Sequence, residues 1–180
     1  MKHRVPKAYR NQQLDESLRK SRLRTEVKLM TEARELGVAV PIIYDIDVEE
    51  NRLTLEFIEG PTVKEILQER SHDPKALCEQ VGEVAARLHS GDIVHGDLTT
   101  SNMIYRDGRV HLIDFSLGEK SSSFEAKGVD MHLLKEALTS AHSDMPELFE
   151  SVAGAYRRAY KGADEVLAKV NEIESRGRYT

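Results

Sequence analysis

Residues 95–102 read His-Gly-Asp-Leu-Thr-Thr-Ser-Asn, and Asp114 follows within Leu112-Ile113-Asp114-Phe115. An aspartate, an asparagine five positions on and a second aspartate closing an apolar segment are the groups that phosphoryl transfer from Mg-ATP requires. Asp97 would accept or orient the proton of the attacking nucleophile, while Asn102 and Asp114 would hold Mg²⁺ against the β- and γ-phosphates. Magnesium takes hard oxygen ligands in near-octahedral order, so two side chains, phosphate oxygens and water complete its shell. Alone, an Asp-x4-Asn string is a polar loop that caps a helix or closes a turn. Ile113-Asp114-Phe115 at this distance makes the Mg-ATP site the stronger reading.

The elements around this loop can be read coarsely. Leu14 to Leu36 is helical, with Leu14, Leu18, Leu29 and Ala33 among its apolar positions and Gly37 as its C-cap. Two strands, Ile42 to Val48 and Arg52 to Phe57, follow Pro41 and meet at a Glu49-Glu50-Asn51 turn. Ile58-Glu59-Gly60-Pro61 breaks the alternation, and a short helix follows from Thr62 to about Gln68. Asp73-Pro74 opens the next helix, which runs to His89 with Leu77, Val81, Val84, Ala85 and Leu88 on one face. Two short strands flank the candidate catalytic loop and turn at Asp107-Gly108. Beyond a Ser-rich stretch the chain reads as helical at 129–141, 146–160 and 163–175. There is no internal repeat.

Composition fits one domain of 180 residues, with 39% hydrophobic and 32% charged residues. Cys78 is the only cysteine, so a disulfide framework and a Cys-based metal site are excluded. It reads as a buried spectator thiol. No apolar run reaches the length of a membrane span and no signal peptide is evident, so the expected location is cytoplasmic, with no membrane partner. The net charge is −5, yet Lys2, His3, Arg4, Lys7 and Arg10 crowd the start and Arg176 and Arg178 close the chain. Such clusters on an acidic protein fit a phosphate-bearing partner such as RNA, or simply a solvated face; charge alone favours the solvated face.

This order of parts is that of a protein kinase from the middle of its small lobe onward. The expected fold class is α+β and protein-kinase-like, with a truncated small β lobe and a mainly helical C-terminal lobe. Residues 1–180 would form one domain, 1–57 the partial N-terminal lobe and 58–180 the C-terminal lobe. In that scheme Glu26, on the first helix, pairs with a lysine that contacts the α- and β-phosphates, and Lys2 is the candidate. Backbone groups of Glu56 to Ile58 would meet the adenine edge, with Leu55 at the pocket entrance. Asp130 either anchors the catalytic loop from below or caps a helix.

The opening Lys2-His3-Arg4-Val5-Pro6-Lys7-Ala8-Tyr9-Arg10, the string His95 to Asn102 and the terminal Arg176-Gly177-Arg178 together resemble the small kinase subunit of the KEOPS complex. This is the family of the p53-related protein kinase, PRPK, and the similarity covers essentially the whole chain. The resemblance implies a Mg-ATP-dependent ATPase with some Ser/Thr kinase activity, using ATP and Mg²⁺. It implies work beside a threonylcarbamoyltransferase that modifies the adenosine next to the anticodon in certain tRNAs. It also implies that Lys7, Arg10, Arg176 and Arg178 face the transferase and tRNA, and that a small accessory subunit sits on the N-terminal lobe.

Two features favour this branch over a signalling kinase. Gly96 stands where such kinases carry the Arg that receives an activation-loop phosphate, so no cation awaits one here. Only fifteen residues separate Asp114 from Asp130, which leaves no room for a long activation loop. Ser121, Ser122 and Ser123 are either autophosphorylated or merely part of a flexible loop. There are also departures. The family's hairpin with a glycine-bearing phosphate loop precedes its lysine, whereas this sequence opens at Met1, next to Lys2. The expectation is a hairpin absent from this chain, by a start placed too late, a natural truncation or a fragment. Ser116 replaces the Gly that follows Asp-Phe in kinases. If the position needs a positive φ, Ser costs about 1 kcal/mol or more; if not, it limits flipping of Asp114. Two further functions stand beside the leading one: a small-molecule phosphotransferase of the aminoglycoside or choline kinase type, and a non-catalytic scaffold for the transferase.

Overall fold

The longest element, helix α1 (Gln12–Glu35), starts at Asn11, whose side-chain oxygen accepts from the Gln13 and Leu14 amides at 3.1 and 3.3 Å. In the computed structural model, which describes residues 1–3, 5 and 11–177, it ends where Val38 N–H donates to Ala33 O at 3.0 Å past Gly37. That bond closes the helix in the manner expected of a glycine C-cap. Leu23, Leu29, Met30 and Ala33 are buried along its inner face, whereas Leu14, read as part of that face, is exposed.

Beside α1 lies a three-stranded antiparallel sheet of β1 (Lys2–His3), β2 (Ile43–Asp47) and β3 (Arg52–Leu55), in the order β1-β3-β2. Lys2 faces Leu53 and His3 faces Arg52 across the β1–β3 pairing. Between β2 and β3 the register slips from Ile43 to Asp45, a bulge in the edge strand. The pair turns at Asn51, which is buried with φ 51°. Both strands are shorter than the alternation suggests, although Glu56 N–H still donates to Ile42 O at 2.7 Å just beyond their ends.

Helix α2 (Val63–Glu69) opens on a full capping box: Glu65 N–H donates to Thr62 Oγ1 at 3.2 Å and Thr62 N–H donates to Glu65 Oε2 at 2.8 Å. Helix α3 (Pro74–Ser90) follows Asp73, which accepts from Lys75 N–H at 3.0 Å. Strand β4 (Ile93–Val94) then leads into the loop of interest. Strands β5 (Met103–Arg106) and β6 (Arg109–Leu112) form the hairpin turned at Asp107-Gly108, and β7 (Glu119–Lys120) returns to pair with β4.

Three helices complete the chain: α4 (Phe124–Ala141), α5 (Leu148–Ala159) and α6 (Ala163–Gly177). Helix α4 begins before the expected position 129, because Ser123 accepts from Ala126 N–H and caps it. Helix α3 packs along α5 so closely that a Cβ on Gly82 would sit 2.3 Å from Val152 O. The core runs from α1 through α3 to α5, with Leu29, Leu88, Ile93, Phe115, Leu134 and Tyr156 all sealed from solvent. Cys78 lies inside it, and burial pushes its thiol up to about 12, so it carries no thiolate at neutral pH. Among the described residues, no helix is long and apolar enough to cross a membrane.

Candidate active site

The loop from His95 to Asn102 is held from below by Asp130 on α4. Its carboxylate is fully buried and accepts from His95 N–H at 2.6 Å and Gly96 N–H at 2.8 Å. The helix already runs through Asp130, so its capping reading is wrong; the side chain anchors the loop. His89 extends this support, with Nε2 3.4 Å from Asp130 and Nδ1 2.7 Å from the Tyr156 hydroxyl. Gly96 adopts φ +77°, and a Cβ there would lie 2.2 Å from Leu117 O. No side chain fits at this position, which gives a backbone reason for the missing Arg.

His95 ties the two halves of the site together. Its Nε2–H donates to Ile113 O at 3.0 Å, which leaves Nδ1 to accept from Asp97 N–H at 3.3 Å. Burial is the largest influence on this imidazole and lowers its pKa, despite the opposing pull of Asp130, Asp97 and Asp114. The ring is therefore neutral, and it packs on Phe115 at 4.7 Å between centroids.

Asn102 ends a single 3₁₀ turn (Thr100–Asn102). Its Nδ2 donates to Asp97 O at 2.9 Å and to Asp97 Oδ2 at 2.8 Å. Both amide hydrogens are thus directed at Asp97, and Oδ1 is turned away as an acceptor. The Asn102 carbonyl in turn accepts from Ile113 N–H at 3.0 Å, which fixes its distance to Asp114.

Asp114 has φ 62° and ψ 68°, and its Oδ1 accepts from Ser116 N–H at 3.2 Å and from Lys2 Nζ at 2.5 Å. Burial works against the charge on Asp114, but the Lys2 ammonium and the Ser116 donors hold its carboxyl below the ordinary range. The left-handed residue is thus Asp114 itself. Ser116 lies in the following 3₁₀ turn (Phe115–Leu117) without a positive φ and carries no such strain.

Lys2 Nζ also reaches Glu26 Oε1 at 2.8 Å. Glu26 is fully buried, so it is not the solvent-facing carboxylate its charged helix would suggest in isolation. Lys2 is itself fastened by its β1–β3 pairing. Lys2, Glu26 and Asp114 line a cleft of about 290 Å³ whose apolar walls are Pro41, Leu55, Phe57, Ile58, Ile104 and Ile113. The sequence points to Leu55 and to the backbone of 56–58, but not to Pro41, Ile104 or Ile113. Their signal was positional: Ile104 comes two residues after Asn102 and Ile113 immediately before Asp114. The Glu56 amide is committed to Ile42 O at 2.7 Å, and its carboxylate to Ile42 N–H and Arg106. The edge that segment 56–58 can offer is therefore the Glu56 carbonyl and the Ile58 amide.

Among the described residues, no three His, Cys, Asp or Glu side chains cluster as a metal cage. A donor set of Asn102 Oδ1 and the Asp114 carboxylate suits a cation that shares its shell with phosphate oxygens, and so fits Mg²⁺. Far from the cleft, Arg176 at the end of α6 bonds Glu125 Oε1 at 2.9 Å and Glu172 Oε2 at 3.4 Å. Lys7, Arg10 and Arg178 lie outside the described residues.

The RIO domain family matches residues 2–123 of the chain. The KEOPS complex subunit Bud32 of Pyrococcus abyssi is 43% identical over 184 residues, covering 99% of this chain and 83% of that protein. A probable bifunctional tRNA threonylcarbamoyladenosine biosynthesis protein of Methanosarcina mazei is 45% identical over 179 residues. That alignment covers 99% of this chain but 31% of the relative, so the chain spans about a third of the bifunctional protein. Among solved structures, the Rio2 kinase of Chaetomium thermophilum, crystallised as an ADP/Mg²⁺-phosphoaspartate complex, superposes with a TM-score of 0.59. It shares 15% identity and covers 96% of this chain and 59% of that one, which establishes a protein-kinase-like α+β fold.

Proposed function

This chain belongs to the RIO-domain family and, within it, to the family of the KEOPS complex subunit Bud32, and from that premise we propose that it is an ATP-dependent phosphotransferase and ATPase that supports threonylcarbamoyl modification of tRNA. The observation that carries this reading is the meeting of Lys2, Glu26 and Asp114 in one cleft, with Asn102 and Asp97 hydrogen-bonded beside it. Asp97 orients the attacking water or hydroxyl and takes its proton. Asn102 Oδ1 and the Asp114 carboxylate would hold Mg²⁺, which would supply neutralisation of phosphate charge. Lys2, kept in place by Glu26, exchanges Asp114 for the α- and β-phosphates. Leu55, Ile58, Ile104 and Ile113 enclose the adenine, which meets the Glu56 carbonyl and the Ile58 amide. Asp130, His89 and His95 act as positioning residues, because a loop held by buried bonds needs little reorganisation during the reaction.

The partners in this reading are a threonylcarbamoyltransferase, a small accessory subunit and tRNA, all in the cytoplasm. Ile42, Tyr44 and Ile46 present an exposed apolar row on the edge of the sheet, where the accessory subunit would dock. Lys7, Arg10, Arg176 and Arg178 would face the transferase and tRNA. Ser/Thr protein phosphorylation would be a side activity of the same cleft.

Calorimetric titration of ATP with and without Mg²⁺, followed by hydrolysis assays with and without the transferase, tests the proposal. Expected are Mg²⁺-dependent binding and a hydrolysis rate that rises with the transferase. Partner binding without Mg-ATP binding would instead establish a scaffold. Stoichiometric phosphorylation of an aminoglycoside or choline would establish a small-molecule kinase.

A further inference from the structure

A second cavity of about 580 Å³ opens between the end of α1, the strap at 37–39, α3 and β6. It shares no lining residue with the nucleotide cleft. Three guanidinium groups reach it from three different elements: Arg34 of α1, Arg87 of α3 and Arg109 of β6. Its one carboxylate, Glu83, stands 3.9 Å from Arg87. Arg34 and Arg109 make no ion pair among the described residues, in a chain whose net charge is −5. The cavity is thus a cationic spot on an acidic protein.

The guanidinium groups are also positioned. Arg34 donates to the carbonyls of Val40 at 2.9 Å and Pro41 at 2.6 Å, and Arg87 donates to Gly37 O at 3.3 Å. Carbonyls orient a guanidinium without neutralising it, and these bonds use one nitrogen of each fork. Arg34 commits both Nη2 hydrogens to these carbonyls and keeps Nε–H and Nη1–H as single donors, whereas the Arg109 fork makes no side-chain bond among the described residues and can meet an anion in a planar, bidentate contact. The floor is apolar, with Val38, Val84 and Val110 all buried. The volume suits a small-molecule or nucleotide-sized ligand.

We propose that this cavity binds a phosphate group carried by a nucleotide unit, at a site separate from the ATP cleft. The phosphate sits among Arg34, Arg87 and Arg109, and the attached sugar and base lie over the valines. Two sources supply this chemistry, a free mononucleotide and one nucleotide of an RNA strand. The inference does not rest on the proposed activity of the cleft, because no residue is shared.

The test is an NMR titration of the isotopically labelled chain, saturated with Mg-ADP so that the first cleft is closed. The probes are AMP and a short unstructured oligoribonucleotide. The expected result is saturable movement of the Gly37, Val38, Ala39 and Val110 amide resonances with at least one probe. AMP alone would identify the free nucleotide as the source; the oligonucleotide alone would identify RNA. Arg109→Ala removes an exposed side chain that makes no hydrogen bond among the described residues, and it should weaken the effective probe about tenfold. Arg87→Ala, which leaves the Arg34 bonds to Val40 O and Pro41 O intact and removes only a 3.3 Å bond to Gly37 O, should do the same. The proposal is overturned if neither probe moves these resonances, or if both variants bind with wild-type affinity.

Discussion

Asp114 is the residue on which most of the site converges. It takes a left-handed backbone, accepts from Ser116 and pairs with Lys2, so its carboxylate is aimed before any ligand arrives. Replacing Asp97 or Asp114 by Ala should abolish ATP hydrolysis while leaving far-UV circular dichroism unchanged, since neither side chain is buried in the core. Wild-type turnover in either variant would remove that residue from the mechanism. His95 gives a pH signature. Its folded pKa is depressed by burial, so below about 6.5 the unfolded chain binds the proton that the folded chain refuses. The stability that this group contributes is then full above that pH and is lost as acid is added. Urea denaturation should show this slope, and His95→Gln should make it shallower. His142, also lowered by burial, leaves a residual slope. The residue types and spacing at 97, 102 and 114 were legible because phosphoryl transfer needs those groups in that order. The burial of Glu26 was not, because a carboxylate amid Arg22, Arg24 and Lys28 reads as a solvated face until the fold covers it.

Elements were legible where local chemistry sets them. Thr62 with Glu65, Asp73 with Pro74 and the Asp107-Gly108 turn each act within a few residues, and the structure follows them. Helix α4 was misjudged at its start because Ser123, one of three consecutive serines, is a cap and not merely part of a flexible stretch. Gly82 and Gly96 do their work at contacts distant in sequence. A methyl at Gly82 would press on Val152 O, so Gly82→Ala should destabilise the chain by about 1–3 kcal/mol. The same change at Gly96 adds the left-handed backbone cost of about 1–2 kcal/mol to its overlap with Leu117 O. Chemical denaturation of both variants measures this, and a Gly96→Ala protein as stable as wild type would contradict the geometry. Asp130→Ala strands the buried His95 amide at about 1–3 kcal/mol and also the part-buried Gly96 amide, and Asp130→Asn, which keeps an acceptor, should cost less.

Over the whole molecule, the RIO domain match ends at residue 123, where α4 begins, yet α4 supplies the Asp130 anchor and α5 the Tyr156 hydroxyl that meets His89. The helical end of the chain therefore supports the candidate site. Deleting residues 176–180 removes the Arg176 bonds to Glu125 and Glu172 at the far side of that support. It should weaken association with the transferase or tRNA while Mg-ATP affinity stays unchanged; equal association before and after deletion would end the assignment of the tail. Local spacing and side-chain chemistry were enough for the α+β class, most helices, the β2–β3 and β5–β6 hairpins and the Asp-Asn-Asp series, and a resemblance along the chain gave the family, but the short strands β1, β4 and β7 carry no local signal. Only the tertiary structure decided that Asp130 anchors the loop, that Ser116 is unstrained and that Gly96 admits no side chain. Only there, too, do three arginines from three elements share a second cavity. These depend on which backbone atoms meet across long stretches of chain, and such distances are set by packing of the core, which no local pattern encodes.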